Sequence, residues 1–107
     1  MADQIPVTRP TGRLDTNTSP ALEKDLLGRL EQGIGLMILD LSGVTLMTSA
    51  GLRAILLAAK RFKGAGGRLV LCSLSKQVRQ VFDATGCDAL VEVFPSHEAA
   101  VAHLSMR

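Results

Sequence analysis

The sequence predicts an α/β domain, a mixed and mainly parallel sheet of about four strands with about four helices. Three observations carry that expectation. Short continuous apolar runs at 35–41, 68–72 and 90–94 have the length and composition of buried strands. Between them lie longer stretches whose apolar residues recur at helical spacing. The two kinds of segment alternate, and strands joined by helical crossovers lie parallel with right-handed connections. At 107 residues, with 47% hydrophobic and 21% charged, the whole chain 1–107 reads as one domain with one core.

The elements follow in order. Residues 5–15 are extended, but Pro6, Pro10 and Gly12 interrupt them, so 1–11 is expected as an edge strand or a loose arm. Thr16, Asn17, Thr18 and Ser19 offer capping groups, and Pro20 suits a first helical turn. Leu22, Leu26, Leu27 and Leu30 then form the apolar stripe of a helix that Gly33 stops. The run 35–41 is a central strand bounded by Gly35 and by Ser42-Gly43. Ser49 or its neighbour opens a second helix, with Leu52, Ile55, Leu56, Ala59 and Phe62 on one face. Lys60, Arg61 and Lys63 crowd its last turn, where cations favour the negative end of the dipole. Residues 68–72 are a second buried strand, and Ser75 caps a third helix that carries Val78, Val81 and Phe82 and ends near Gly86. A strand at 90–94 and a short helix from Pro95-Ser96 to about Leu104 complete the chain.

Composition excludes several functions. Two cysteines, Cys72 and Cys87, are too few for a disulfide framework and fit a reducing compartment. A net charge of +2 does not call for a polyanion, and with no Trp, no Tyr and three scattered Phe there is no stacking surface for nucleic acid. His97 and His103 lie far from either cysteine in sequence, no metal-ligand spacing occurs, and no cofactor is expected. No apolar run approaches the ~18 residues of a membrane helix, and the N-terminus lacks an apolar signal segment. The expectation is a cytoplasmic domain without direct membrane insertion.

The most informative stretch is 40–53, where a buried strand ends, a polar loop follows and a helix starts on a hydroxyl cluster. Free N–H groups and a positive dipole end make such a start tolerant of an added phosphate. A hydroxyl there also serves as a plain cap, and Gly51 as a plain packing glycine; the residues alone leave both readings open. A serine hydrolase is excluded, because Met47 stands where the nucleophile elbow needs its first glycine. Gly64–Gly67 follows a helix and precedes a strand, the reverse of a dinucleotide loop. From Leu41 to Phe82 there is no carboxylate, yet Arg53, Lys60, Arg61, Lys63, Arg68, Lys76 and Arg79 are present. That is either a solvated surface or a face for an acidic partner. Cys72 reads as core, Cys87 as a turn residue, and Asp15 as a cap of the first helix or a surface edge.

Four segments in this order carry a resemblance. They are Gly12-Arg13-Leu14-Asp15; Met37 to Val44; Thr48-Ser49-Ala50-Gly51-Leu52; and Gly66 to Leu71 followed by Val78 to Gly86. Together they resemble the STAS domain, specifically the stand-alone anti-sigma-factor antagonists of bacteria. The resemblance implies partner switching. The unmodified protein binds a GHKL-type serine kinase that acts as an anti-sigma factor, and the kinase's client is released. Phosphorylation of the serine at the start of the second helix, Ser49 here, ends binding, and a PP2C-type phosphatase restores it. The protein itself catalyses nothing. The partner surface so implied comprises Asp15, Ser42, Thr45, Thr48, Ser49, Ala50, Gly51 and Arg53. Thr48 stands where the family usually has Asp, which supplies a second candidate hydroxyl, although Ser49 holds the aligned position. The segment before Gly12 is shorter than the family's usual two strands, so a missing first strand and an open sheet edge are also expected. A different role implied by the same family is a subunit that binds and stabilises the ATPase of a lipid-transport ABC system.

Overall fold

A computed structural model of the chain describes residues 5–86 and 90–105. Along it run β1 (Val7–Thr8), β2 (Gly12–Leu14), α1 (Ser19–Glu31), β3 (Leu36–Asp40), β4 (Val44–Met47), α2 (Ser49–Gly64), β5 (Arg68–Cys72), α3 (Lys76–Thr85), β6 (Val93–Phe94) and α4 (His97–Ser105). Four strands form a parallel sheet in the order β1-β3-β5-β6, and β2 and β4 form a separate parallel pair.

The continuous apolar runs become the sheet's centre because both of their faces are covered. Leu36 pairs with Arg68 and the register continues to Asp40 and Cys72. Alternate residues divide between two cores. Met37, Leu39, Leu69 and Leu71 join Leu26 of α1, Ile55 and Phe62 of α2 and Phe82 of α3. Ile38, Val70 and Cys72 point the other way, onto Ala100 and Leu104 of α4. None of the helices is long and apolar enough to cross a membrane among the described residues.

Three expectations need correction. The extended segment 5–15 is not a single strand. It splits at Arg9–Thr11, so that β1 lies on the edge of the main sheet against β3 while β2 leaves to pair with β4. The first strand is therefore present. Pro6 is accommodated because its carbonyl accepts from the Ile38 N–H (2.9 Å), and Pro10 sits in the link, where no ladder donor is needed. Second, residues 44–47 form a strand rather than a loop, with Val44 and Met47 buried and Thr45 exposed. Third, the last strand is only Val93–Phe94, opposite Leu71 and Cys72. Val91 enters the core from outside it, and Leu90 is 70% exposed. Cys87 lies outside the described residues.

The doubled pairing of residues 7–14 with 38–47 is fastened at its two links. Arg9 donates to Asp40 Oδ2 (3.2 Å) and the Ser42 N–H to Asp40 Oδ1 (2.9 Å). Burial opposes the Asp40 charge, but the Ser42 N–H and hydroxyl and the Arg9 guanidinium outweigh it and hold the carboxyl below its ordinary 3.8. Gly43 lets the links touch: a Cβ there would lie 3.0 Å from Thr11 Cγ2 and 3.1 Å from the Pro10 carbonyl.

Candidate functional site: the start of helix α2

Leu14 and Met47 are register partners at the ends of β2 and β4, so Asp15 and Thr48 leave the pair side by side. The Leu14 carbonyl accepts from both the N–H (2.9 Å) and the hydroxyl (3.2 Å) of Thr48. Thr48 is the N-cap of α2 with an extended backbone, yet its hydroxyl caps nothing, because it is spent on Leu14. Ser49 is thus the first helical residue rather than the cap. It is exposed, and no side-chain hydrogen bond involves it among the described residues. The first turn carries no acidic residue, so its free N–H groups and positive dipole end have no local anion.

Two further residues set this corner. Gly51 is buried, and a Cβ there would lie 2.6 Å from the Leu14 carbonyl oxygen and 2.8 Å from Leu14 Cβ. Its close approach is therefore to the chain's own backbone. Gln77, on α3, accepts the Met47 N–H on its Oε1 (3.0 Å) and closes the outer edge of β4. Sequence reasoning missed Gln77, which carries no local signal. It follows the capping Ser75, which accepts from the Val78 N–H (3.3 Å), at ordinary helical spacing.

The other expected site residues divide. Asp15 is half-buried beside Thr48. The N–H groups of Thr18 and then Asn17 donate to its carboxylate and hold it below its ordinary 3.8, so it organises the turn into α1. Ala50 is half-buried and Arg53 exposed, one turn beyond Ser49. Ser42, in the link before β4, and Thr45, in its first half, are exposed, and Thr45 lies about 10 Å of strand from Thr48 at ~3.3 Å per residue. The basic residues do not form one face. Arg68, at the start of β5, is paired with Glu92, whereas Arg53, Lys60 and Lys63 line an open groove of about 680 Å³ that runs along α2 from Ser49. Cys72 is buried, and burial pushes its thiol up and away from reactivity. No cluster of three or more potential metal ligands occurs among the described residues.

This corner can hold a hydroxyl in water at the positive end of a long helix, on an element locked to β2 and α3. Comparison with known proteins agrees in fold and in sequence. Residues 2–100 match the family model described as STAS domain. A candidate anti-sigma factor antagonist, BtrV, of Bordetella bronchiseptica is 37% identical over 91 residues, covering 85% of this chain and 78% of that protein. The anti-sigma-B factor antagonist of Bacillus subtilis is 33% identical over 90 residues, 84% of this chain and 82% of its own. The anti-sigma factor antagonist SpoIIAA in its unphosphorylated form superposes with a TM-score of 0.78 at 22% identity, over 92% of this chain and 85% of that one.

Proposed function

Because the chain belongs to the STAS-domain family, we propose that it is an anti-sigma factor antagonist worked as a phosphorylation-controlled interaction switch. Its unmodified form binds a GHKL-type serine kinase that holds a client, and binding frees the client. The kinase transfers a phosphoryl group from ATP to Ser49 Oγ: the new P–O bond forms as the bond to ADP breaks, and the hydroxyl proton leaves to a base on the kinase. The complex then separates, and a PP2C-type phosphatase hydrolyses the phosphate. In this scheme the chain is ligand and substrate, acts in the cytoplasm, and catalyses no step. The named relatives support this reading over a lipid-transport subunit.

The observation that carries the reading is the contrast between two adjacent hydroxyls. Thr48 Oγ1 is bound to the Leu14 carbonyl, while Ser49 is exposed and unbound among the described residues. A phosphate on Ser49 adds roughly 1.5 to 2 negative charges at neutral pH. The N-terminal dipole end favours such charge by about 0.3–1 kcal/mol, so the domain keeps its fold. Against a partner surface that offers no cation to it, the same dianion is partly desolvated, at a cost of several kcal/mol. A loss of ~4 kcal/mol is about a thousandfold in affinity.

Intact-mass and peptide mapping of the protein from its native cells, beside Ser49→Ala, tests the proposal. Condition-dependent phosphate on Ser49 that disappears in the variant is expected. Phosphate on Thr48 instead would move the site by one residue, and a chain unmodified under all conditions would overturn the switch.

A further inference from the structure

The groove along α2 has more built into it than one serine requires. Leu52 and Leu56 line it, and Leu57 and Leu90 stand on it 45% and 70% exposed. These two are the large hydrophobics most open to solvent among the described residues. Arg53, Lys60 and Lys63 line the same groove, and none of them is in an ion pair among the described residues. Among the described residues no carboxylate lines it, in keeping with the absence of Asp and Glu from Leu41 to Phe82.

We propose that this groove docks an acidic amphipathic helix of a partner protein. Apolar side chains at helical spacing on that helix would seat on Leu56, Leu57 and Leu90, and its flanking carboxylates would face Arg53, Lys60 and Lys63. The chemistry selects among occupants. Small-molecule sites enclose most of their ligand, whereas here Leu57 and Leu90 stand exposed over an open trough. A lipid surface is flat and would meet Leu57 and Leu90 while leaving the half-buried Leu56 uncovered. A helix ridge reaches into the trough and along its banks, and a row of cations unpaired among the described residues specifies its charge.

The regulation of this docking rests on the switch reading above. Ser49 lines the same groove, and Arg53 follows it at i+4, the spacing at which an anion N-terminal to a cation pairs on a helix. A phosphate on Ser49 would occupy Arg53 and repel the acidic flank, so modification would loosen the docked helix without altering the fold.

The test uses the full chain and a fluorescent synthetic helix of about fifteen residues, with leucines at i, i+3, i+4 and i+7 and glutamates on the flanks. Fluorescence anisotropy is expected to show binding that weakens about tenfold or more in Leu57→Glu and in the double variant Lys60→Glu/Lys63→Glu. Lys24→Glu, on α1 outside the groove, leaves it unchanged. A probe with lysines in place of the glutamates is expected to prefer the double variant over the wild type. Ser49→Asp is expected to weaken the acidic probe about fivefold. Affinity equal for both probes, or unmoved by Leu57→Glu, would overturn the proposal. So would self-association of the chain that Leu57→Glu abolishes, or binding to phosphatidylcholine–phosphatidylserine vesicles in place of the peptide. Docking without phosphate on Ser49 in cells would remove the switch and leave the docking site, whereas phosphate on Ser49 without docking would do the reverse.

Discussion

Helices α2 and α3 both start beside a hydroxyl, and the two starts are put to opposite uses. At α3, Ser75 occupies the N-cap and its Oγ accepts the Val78 N–H at 3.3 Å. At α2 the N-cap is Thr48, whose hydroxyl is turned back to the Leu14 carbonyl at 3.2 Å, and Ser49 follows it exposed. The start of α4 follows the α3 pattern, with Ser96 Oγ accepting from the Ala99 N–H at 3.0 Å. One residue of displacement along the chain thus separates a hydroxyl that stabilises a helix from one that is available for chemistry. The absent cap leaves orphan N–H groups at α2, and the rigid seat of that turn on β2 and Gln77 takes over the work of holding the helix start.

That contrast can be broken most strongly at the seat itself. Gly51→Ala puts a methyl group 2.6 Å from the Leu14 carbonyl oxygen, so β2 and α2 must part. Urea denaturation is expected to show a loss of about 2–3 kcal/mol, although alanine is the better helix former. A variant as stable as the wild type would mean that the seat is not close-packed. Next in size, Ser75→Ala removes a working cap and is expected to cost about 1 kcal/mol in the same assay. Ser49→Asp has the opposite sign. A carboxylate at the first helical position meets the positive dipole end and Arg53 at i+4, so a gain of about 0.5 kcal/mol that fades at high salt is expected. A loss there would show that the α2 start does not accept an anion. Smallest of all, Ser49→Ala removes a hydroxyl that makes no hydrogen bond among the described residues and is expected to stay within about 0.5 kcal/mol of the wild type. Equal costs for Ser49→Ala and Ser75→Ala would collapse the comparison, because both serines would then be caps.

Much of this was legible from residue order alone. The runs around Leu39 and Leu71 are apolar without alternation because both faces are buried, and that pattern is visible before any coordinates. Ser75 announced its cap by its place before an amphipathic stripe, and Gly86 announced the end of α3, where it adopts φ 69°. Strand β4 was not legible. Val44-Thr45-Leu46-Met47 is too short to signal a strand unaided, and it is extended because β2 lies beside it. The last strand was read too long for the complementary reason. Leu90 is as apolar as a strand residue, but the ladder with β5 joins only Val93 and Phe94 to it.

The sequence by itself determined the alternation of elements, the hydroxyl cluster at the start of α2 and the stretch from Leu41 to Phe82 without a carboxylate. Each is a local property, written in periodicity, in residue type or in the spacing of neighbours. Only the tertiary structure decided which hydroxyl of Thr48 and Ser49 is spent, since the acceptor is Leu14, 34 residues from Thr48 along the chain. It likewise decided that Gly51 faces the chain's own backbone, that Gln77 closes β4, and that Leu57 and Leu90 stand over the same groove as Arg53 and Lys60. Contacts between distant residues depend on how the strands pair and cross over, and no spacing within a single segment encodes them.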